Sequence, residues 1–304
     1  MRTVIIGQAD FGDAVLKRFL EQGIEVVGVS TPPDRGGRED PLKTTALAQG
    51  LPWLPTRALR QDETYQEFQA WKPDLGVMAF VTDILPEKVL EEPALGTIQY
   101  HPSLLPKHRG ASAINWAVVL GETKTGLTIF WPDRGVDTGP ILLQKEVDVD
   151  PDDTVGTLYF NKLFPLGVDA LAESVELLQQ GTAPRIVQDE AQATYEPIFK
   201  DEHADIDWSK DAQTVYNLVR GSTPAPGANT SYQGGTLQLF ESKLQSGAGA
   251  GEPGEVLAVE DAGIRVALNG GVLLVERLRA ADGGKVAAAE FARETGIKAG
   301  DRLG

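Results

Sequence analysis

The sequence predicts an α/β fold with a doubly wound sheet, followed by a small β-barrel of the OB type, and three observations carry that expectation. Short apolar, β-branched runs alternate with amphipathic stretches from Met1 to about Gln180. The opening Val4-Ile-Ile6, a glycine-bearing turn, a helical stretch and a second β-branched run over Glu25 to Ser30 make a β-α-β unit. From about Asp205 the texture changes to short strand-like runs separated by Gly-rich turns, the pattern of a small barrel.

Met1 to Ile6 reads as the first strand. Phe11, Val15, Leu16, Phe19 and Leu20 then recur at helical spacing until Gly23 stops the helix. The turn Gly7-Gln-Ala-Asp-Phe-Gly12 lacks the G-x-G-x-x-G spacing, and the second strand ends at Ser30-Thr31 with no acid for a ribose hydroxyl. No NAD(P) site is therefore expected. Thr31 to Asp40 is a loop, Pro41 to Gln49 a helix ended by Gly50, and Asp62 to Trp71 a helix with Tyr65, Phe68 and Trp71 inward. Leu75 to Phe80 is nearly continuously apolar, as in a strand buried on both faces. After the loop Val81-Thr-Asp-Ile-Leu-Pro86 and a short helix comes Thr97 to Tyr100, a strand halted at His101 because Pro102 has no N–H for the ladder.

Ser112 to Leu120 is a helix, and Thr125 to Phe130 and Ile141 to Val147 are strands. Asp152-Asp-Thr154 offers cap oxygens to one long helix reaching about Gln180, with Leu158, Leu163, Leu171, Val175 and Leu178 on its apolar side. The polar stretch Thr182 to Lys200 is the expected linker, dividing the chain into domains 1–200 and 205–304, and His203 reads as a solvated surface residue. Beyond it lie a helix from Ser209 to Arg220 and strands near Thr236 to Phe240, Glu255 to Val259, Ile264 to Leu268 and Val272 to Leu278. Turns such as Ser246-Gly-Ala-Gly-Ala-Gly251 and Asp261-Ala-Gly263 separate the strands.

Composition narrows the function. A net charge of −16 favours solubility and repels polyanions, so nucleic acid and anionic membranes are disfavoured partners. With no cysteine, disulfides, thiolate metal sites and a cysteine nucleophile are ruled out. That absence, with no signal-peptide pattern and no apolar span of transmembrane length, leads us to expect a cytoplasmic protein. No metal-ligand cluster is visible in the spacing either.

Chemistry concentrates in two segments. Gly96-Thr-Ile-Gln-Tyr-His-Pro-Ser-Leu-Leu-Pro-Lys-His-Arg-Gly110 holds two of the chain's 3 histidines. Strand alternation puts Gln99 and His101 on one face, at the carboxyl end where open α/β sheets bind ligands. Trp131-Pro-Asp-Arg-Gly-Val-Asp-Thr-Gly139 follows another strand and brings Asp133 and Asp137. A histidine beside a proline, or an acidic turn, means little singly; the two together, in this order, are far more specific.

In these residues the chain resembles the 10-formyltetrahydrofolate-dependent formyltransferase family. The likeness runs from Val4 to Lys298-Ala-Gly-Asp-Arg-Leu-Gly304, and is greatest toward the N-terminal hydrolase domain of 10-formyltetrahydrofolate dehydrogenase. Ile6-Gly-Gln8, Tyr100-His-Pro-Ser-Leu-Leu-Pro106, His108-Arg-Gly-Ala-Ser-Ala-Ile-Asn-Trp116 and Pro151-Asp-Asp-Thr154 carry it. The resemblance implies a Rossmann-like formyltransferase domain with an OB-like C-terminal domain. It implies 10-formyltetrahydrofolate as formyl donor, without metal, and places the catalytic histidine on His101 and the aspartate on Asp137.

It further implies that the pteridine lies between the loop around Met78, Phe80, Ile84 and Leu85 and the acidic loop with Asp133 and Val136, with Asp133 shaping that loop. One position departs: where the transferases usually carry asparagine and the hydrolase domain an apolar residue, this chain has Gln99. The acceptor is expected to be water or a small amine. Methionyl-tRNA formyltransferase activity and a folate-binding module of weak catalysis are the alternatives. In the loop from Pro32 to Asp40, Arg35 and Arg38 are offset by Asp34, Glu39 and Asp40, which argues against tRNA phosphate contacts.

Overall fold

The computed structural model describes every residue except 35–38, 248–250 and 282, together with the backbone but not the side chain of Ser246. Arg35, Arg38 and the middle of the turn from Ser246 to Gly251 thus lie outside the described residues. In chain order the first elements are β1 (Thr3–Gly7), α1 (Ala9–Glu21), β2 (Val26–Thr31), α2 (Pro41–Ala48), β3 (Trp53–Pro55), α3 (Asp62–Ala70), β4 (Leu75–Ala79), α4 (Glu87–Glu91) and β5 (Thr97–His101). There follow α5 (Ala113–Val119), β6 (Lys124–Phe130), β7 (Ile141–Asp148), α6 (Val155–Leu158) and α7 (Phe164–Gln179). The remainder holds α8 (Ala212–Gly221), β8 (Ala228–Tyr232), β9 (Gly235–Leu239), β10 (Ser242–Ser246), β11 (Val256–Glu260), β12 (Gly263–Leu268), β13 (Gly271–Val275), β14 (Arg277–Ala280), β15 (Val286–Ala287) and α9 (Ala288–Thr295).

Two compact units emerge, and they interleave in sequence. One comprises Met1–Ala111, Gly126–Val147 and Asn161–Tyr195; the other comprises Ser112–Thr125, Asp148–Phe160 and Glu196–Gly304. The first is built on a mixed 7-stranded sheet of order β3-β2-β1-β4-β5-β6-β7. β1 pairs in parallel with β2 and β4, and β4 with β5, whereas β5 and β6 are antiparallel. Helices cover both faces, which explains the unbroken apolar strands. Ile5, Val77 and Ile98 pack with Phe11, Phe19, Val168 and Leu171, while Val4, Ile6 and Met78 pack with Leu59, Phe68 and Val89 on the other side.

The long helix expected from Asp152 onward is interrupted. Thr154 caps the single turn of α6 in a reciprocal pair with Thr157, a π-helical turn spans Tyr159–Leu163, and α7 starts anew. Pro165 in the first turn of α7 is the physical cause, because it lacks the N–H that would bond back to Asn161 and its ring crowds that carbonyl. The five leucine and valine positions remain inward even so: four are buried and Leu178 is half-buried.

In the second unit β8 to β15 form two antiparallel four-stranded sheets, β10-β13-β12-β11 and β15-β14-β9-β8. Between them lies a core of Val215, Val219, Leu237, Leu239, Val266, Leu273 and Leu278, joined by Phe291 of α9. The sequence reading missed β8, β10, β15 and α9, whose residues are too polar or too short in run to show a clear period. His203 is not a solvated surface residue: it is half-buried against the Trp116 and Phe199 rings, with centroids 5.5 and 5.8 Å away, and its Nδ1 accepts from the Lys200 N–H at 3.1 Å.

Gly167 marks where α7 crosses the sheet. A Cβ there would sit 2.6 Å from the Tyr100 ring and 3.1 Å from that of Phe11. Alanine gains about 1 kcal/mol of helix propensity, while overpacking against two rings costs about 1–3 kcal/mol. Gly167→Ala is expected to lower the urea midpoint; a midpoint at or above that of the parent protein would show that the rings give way.

Candidate active site

Register pins His101 before any side-chain contact is made. The β5–β6 ladder pairs Gln99 with Phe130 and His101 with Thr128, and the chain then leaves the sheet at Pro102. The departing loop is cross-braced. Buried Thr128 donates its hydroxyl to the Ser103 carbonyl at 2.6 Å and accepts from the Leu105 N–H at 3.0 Å, while the Gln144 amide reaches the Leu105 carbonyl at 2.8 Å. On the other side the Trp131 N–H meets the Pro140 carbonyl at 2.9 Å, closing the base of the acidic loop between β6 and β7.

The two sequence-predicted catalytic candidates are brought together. His101 Nδ1 lies 3.5 Å from Asp137 Oδ2, with the residues 5% and 9% exposed. His101 Nε2 is 2.8 Å from the His108 carbonyl, and since a carbonyl only accepts, Nε2 carries a proton and Nδ1 is the ring nitrogen that faces Asp137. Burial pushes the imidazole pKa below its ordinary value; the Asp137 charge and the His108 carbonyl oppose this without prevailing. Asp137 itself adopts φ +55°, and Oδ2 also accepts the Gly110 N–H at 2.8 Å. Gly110, at φ +107°, has a backbone that a side chain would strain. Gln99 is half-buried on the same face as His101, and its side-chain amide makes no hydrogen bond to a described residue.

The remaining candidates fall into three groups. Met78 and Leu85 are buried in the core on one face of the sheet. Phe80, Ile84 and Val136 are exposed apolar side chains, at 41%, 82% and 57%, with Phe80 at φ +60° where the chain leaves β4. Asp133 shapes its own loop, accepting the Gly135 N–H at 2.9 Å and the Thr138 hydroxyl. Arg134 of that loop pairs with Glu87 of α4 at 2.8 Å, and the arginine lowers the Glu87 pKa. Among the described residues no group of three or more His, Cys, Asp or Glu could hold a metal ion.

Sequence reasoning missed the support behind the acidic loop. Arg109, 2% exposed, donates from Nε and Nη2 to Gln188 Oε1 at 3.2 and 2.8 Å and pairs with Glu190 at 2.7 Å; Glu190 raises the guanidinium pKa further. Gln188 Nε2 in turn donates to the Asp137 and Gly139 carbonyls at 2.8 and 2.7 Å. The Tyr195 hydroxyl reaches the Val136 carbonyl at 3.2 Å. Residues 182–195, expected as linker, are therefore bonded into the first unit, where Ile186 also bridges Ile141. The one available signal was Arg109 beside His108: a guanidinium next to a candidate site must find partners if it is buried.

Residues 1–173 match the formyl transferase model and residues 198–296 the formyl transferase C-terminal domain, and the chain belongs to this family. Human mitochondrial 10-formyltetrahydrofolate dehydrogenase is 40% identical over 96% of this chain and 33% of its own length. The chain thus spans about a third of such relatives. The methionyl-tRNA formyltransferase of Trichlorobacter lovleyi is 39% identical over 95% of this chain and 93% of that protein. HypX from Aquifex aeolicus in complex with tetrahydrofolic acid shares the fold, with a TM-score of 0.71 at 21% identity over 96% of this chain and 47% of that one.

The depressed imidazole pKa has a consequence for stability. A histidine whose folded pKa lies below its unfolded one contributes stability that is complete above the ordinary value of 6.5 and is lost as pH falls from there through the folded pKa. The thermal midpoint of the parent protein should therefore fall more steeply below pH 6.5 than that of His101→Asn. Parallel melting profiles for the two would sink the assignment of a lowered imidazole pKa.

Proposed function

We propose that this chain transfers the formyl group of 10-formyltetrahydrofolate to water or a small amine acceptor. The observation that carries the reading is the buried His101–Asp137 pair, 3.5 Å apart at the carboxyl end of β5, with Gln99 on the same face. Among the described residues only Oδ2 of Asp137 is engaged, by Gly110, which leaves Oδ1 as the base for the nucleophile's proton. The nucleophile adds to the formyl carbon and its C=O becomes an oxyanion. With Nε2–H committed to the His108 carbonyl, the imidazole donor to that oxyanion is Nδ1–H, formed as the proton taken up by the pair is shared onto His101. The Gln99 amide N–H is the second donor. Collapse breaks the bond from the formyl carbon to N10, N10 receives the proton, and tetrahydrofolate leaves with formate or the N-formyl amine as co-product.

The exposed apolar side chains Phe80, Ile84 and Val136 suit a pteridine, held between the two loops mainly by backbone polar groups. Within this reading residues 1–200 form the catalytic domain and 205–304 an OB-like domain. The passage from β9 to β10 and from β13 to β14 through only Phe240-Glu241 and Glu276 supports a barrel in which strands bend from one sheet into the other. A cytoplasmic setting is part of the same proposal.

One observation favours methionyl-tRNA as acceptor instead: the Trichlorobacter lovleyi relative matches over 93% of its length. Against it stands the net charge of −16, because tRNA affinity is dominated by phosphate contacts.

The test is incubation with 10-formyltetrahydrofolate alone and then with an acceptor panel that includes initiator tRNA at physiological salt, monitoring formate and formylated product. His101→Ala and Asp137→Ala should each lower turnover by about two to four orders of magnitude while folate binding persists. Wild-type turnover in a folded His101→Ala protein would remove the assignment, and tight, steeply salt-dependent tRNA binding would favour the second acceptor.

Gln99 is tested separately. Its amide lies one methylene further out than an asparagine's, so part of the roughly 3 kcal/mol a well-placed oxyanion donor supplies is expected to be missing. Gln99→Asn should then raise transfer to an amine, and Gln99→Leu should depress transfer more than hydrolysis. If Gln99→Leu leaves both rates unchanged, the amide has no part in the mechanism.

A further inference from the structure

Asp137 holds its carboxylate against His101 from a backbone conformation that is unfavourable for it. A left-handed non-glycine residue costs about 1–2 kcal/mol, so something outside the residue has to maintain it. Gln188 is placed to do so. Its amide has two N–H donors and one oxygen, and each is committed to a different side of the site. Nε2 donates to the carbonyls of Asp137 and Gly139, and Oε1 accepts two bonds from Arg109.

The orientation of that amide is forced. Arg109 is a donor only, so the oxygen must face it, and the nitrogen is then obliged to face the two carbonyls. Arg109 is held from its far side by Glu190, at 2.7 and 2.9 Å, and by the Tyr195 ring at 5.3 Å. The same short stretch of chain does two further things. The His108 carbonyl receives the Nε2–H of His101, and the Gly110 N–H grips the Asp137 carboxylate. Three consecutive residues thus fix His101, Gln188 and Asp137, and Gln188, which lies in neither loop, joins the Arg109 guanidinium to the backbone of the acidic loop.

We propose that Gln188, oriented by Arg109, is a positioning residue that sets the Asp137 carboxylate against His101 during formyl transfer. The proposal takes its reaction from the function proposed above, but the geometric claim can be tested without it. Two neutral or near-isosteric substitutions separate the roles of the amide. Gln188→Leu removes both its donors and its acceptor. Gln188→Glu keeps an acceptor for Arg109 while setting carboxylate oxygen against the two carbonyls, so it abolishes positioning and preserves the Arg109 contact.

Kinetically, both variants should lose about ten- to a hundredfold in kcat, the range for loss of a supporting hydrogen bond behind an active group, with KM for the folate within about threefold of the parent. The activity-independent readout is NMR titration of the His101 imidazole, which is tractable in a chain with 3 histidines. The charged or titratable groups that face this ring are Asp137, which raises its pKa, and His108, which lowers it. In Gln188→Leu the retreat of Asp137 should move the His101 titration to lower pH, as in Asp137→Ala.

A His101 titration at the parent position in folded Gln188→Leu, or a kcat within twofold of the parent in both variants, would overturn the proposal. So would a matching collapse of kcat and melting temperature that cooling restores, since that marks a merely structural residue. If Gln188→Leu does not fold, Gln188→Glu carries the kinetic test. Should the parent protein lack formyl transfer altogether, the titration shift still decides whether Gln188 places Asp137.

Discussion

An imidazole and a carboxylate share a buried space at the end of β5, and the balance of energies between them governs how the surrounding structure is built. Were both charged, their attraction at 3.5 Å would be roughly 5 kcal/mol at an effective dielectric near 20. Desolvating each ion costs several kcal/mol in turn. The lowered imidazole pKa shows that desolvation prevails in the resting site. The pair is thus poised rather than locked: negative charge developing nearby shifts the balance toward a protonated Nδ1. Water admitted to the site would screen that response, so the loops have to exclude it as well as aim the groups.

Rigidity follows from this requirement. Each loop is closed on itself first, the histidine loop by Thr128 and Gln144 and the acidic loop by Asp133 and by the Trp131–Pro140 bond. Only then are they tied together, through Gly110 on the carboxylate and Gln188 on the backbone. Arg109 is a charge almost wholly removed from solvent, a placement that is tolerable because its donors meet Gln188, Glu190 and the Tyr195 hydroxyl. Beneath the loops the sheet provides a fixed floor, since Met78, Gln99 and Phe130 are paired in register across β4, β5 and β6.

Much of this was legible before any coordinates. Strand and helix positions in the first unit, apart from the three-residue β3, followed from apolar period, and the end of β5 from Pro102, because those signals are local. The interruption before α7 was also encoded, in Pro165, but was masked by apolar positions that keep helical spacing on both sides of it. In the second unit the polar strands β8 and β10 escaped notice: they are half-exposed, and strand formation there depends on a partner that sequence period does not reveal.

The sequence by itself determined the β-α-β start, the two chemical segments and the placement of Gln99 and His101 on one strand face, since each depends on residues near one another in the chain. Only the tertiary structure decided that Asp137 meets Nδ1 rather than Nε2, that its backbone is left-handed, and that residues 182–195 buttress the site instead of linking domains. The reason is physical. Those facts rest on contacts between residues tens of positions apart, such as Arg109 and Gln188. Their polar side chains read as ordinary surface until folding removes the water that would otherwise satisfy them.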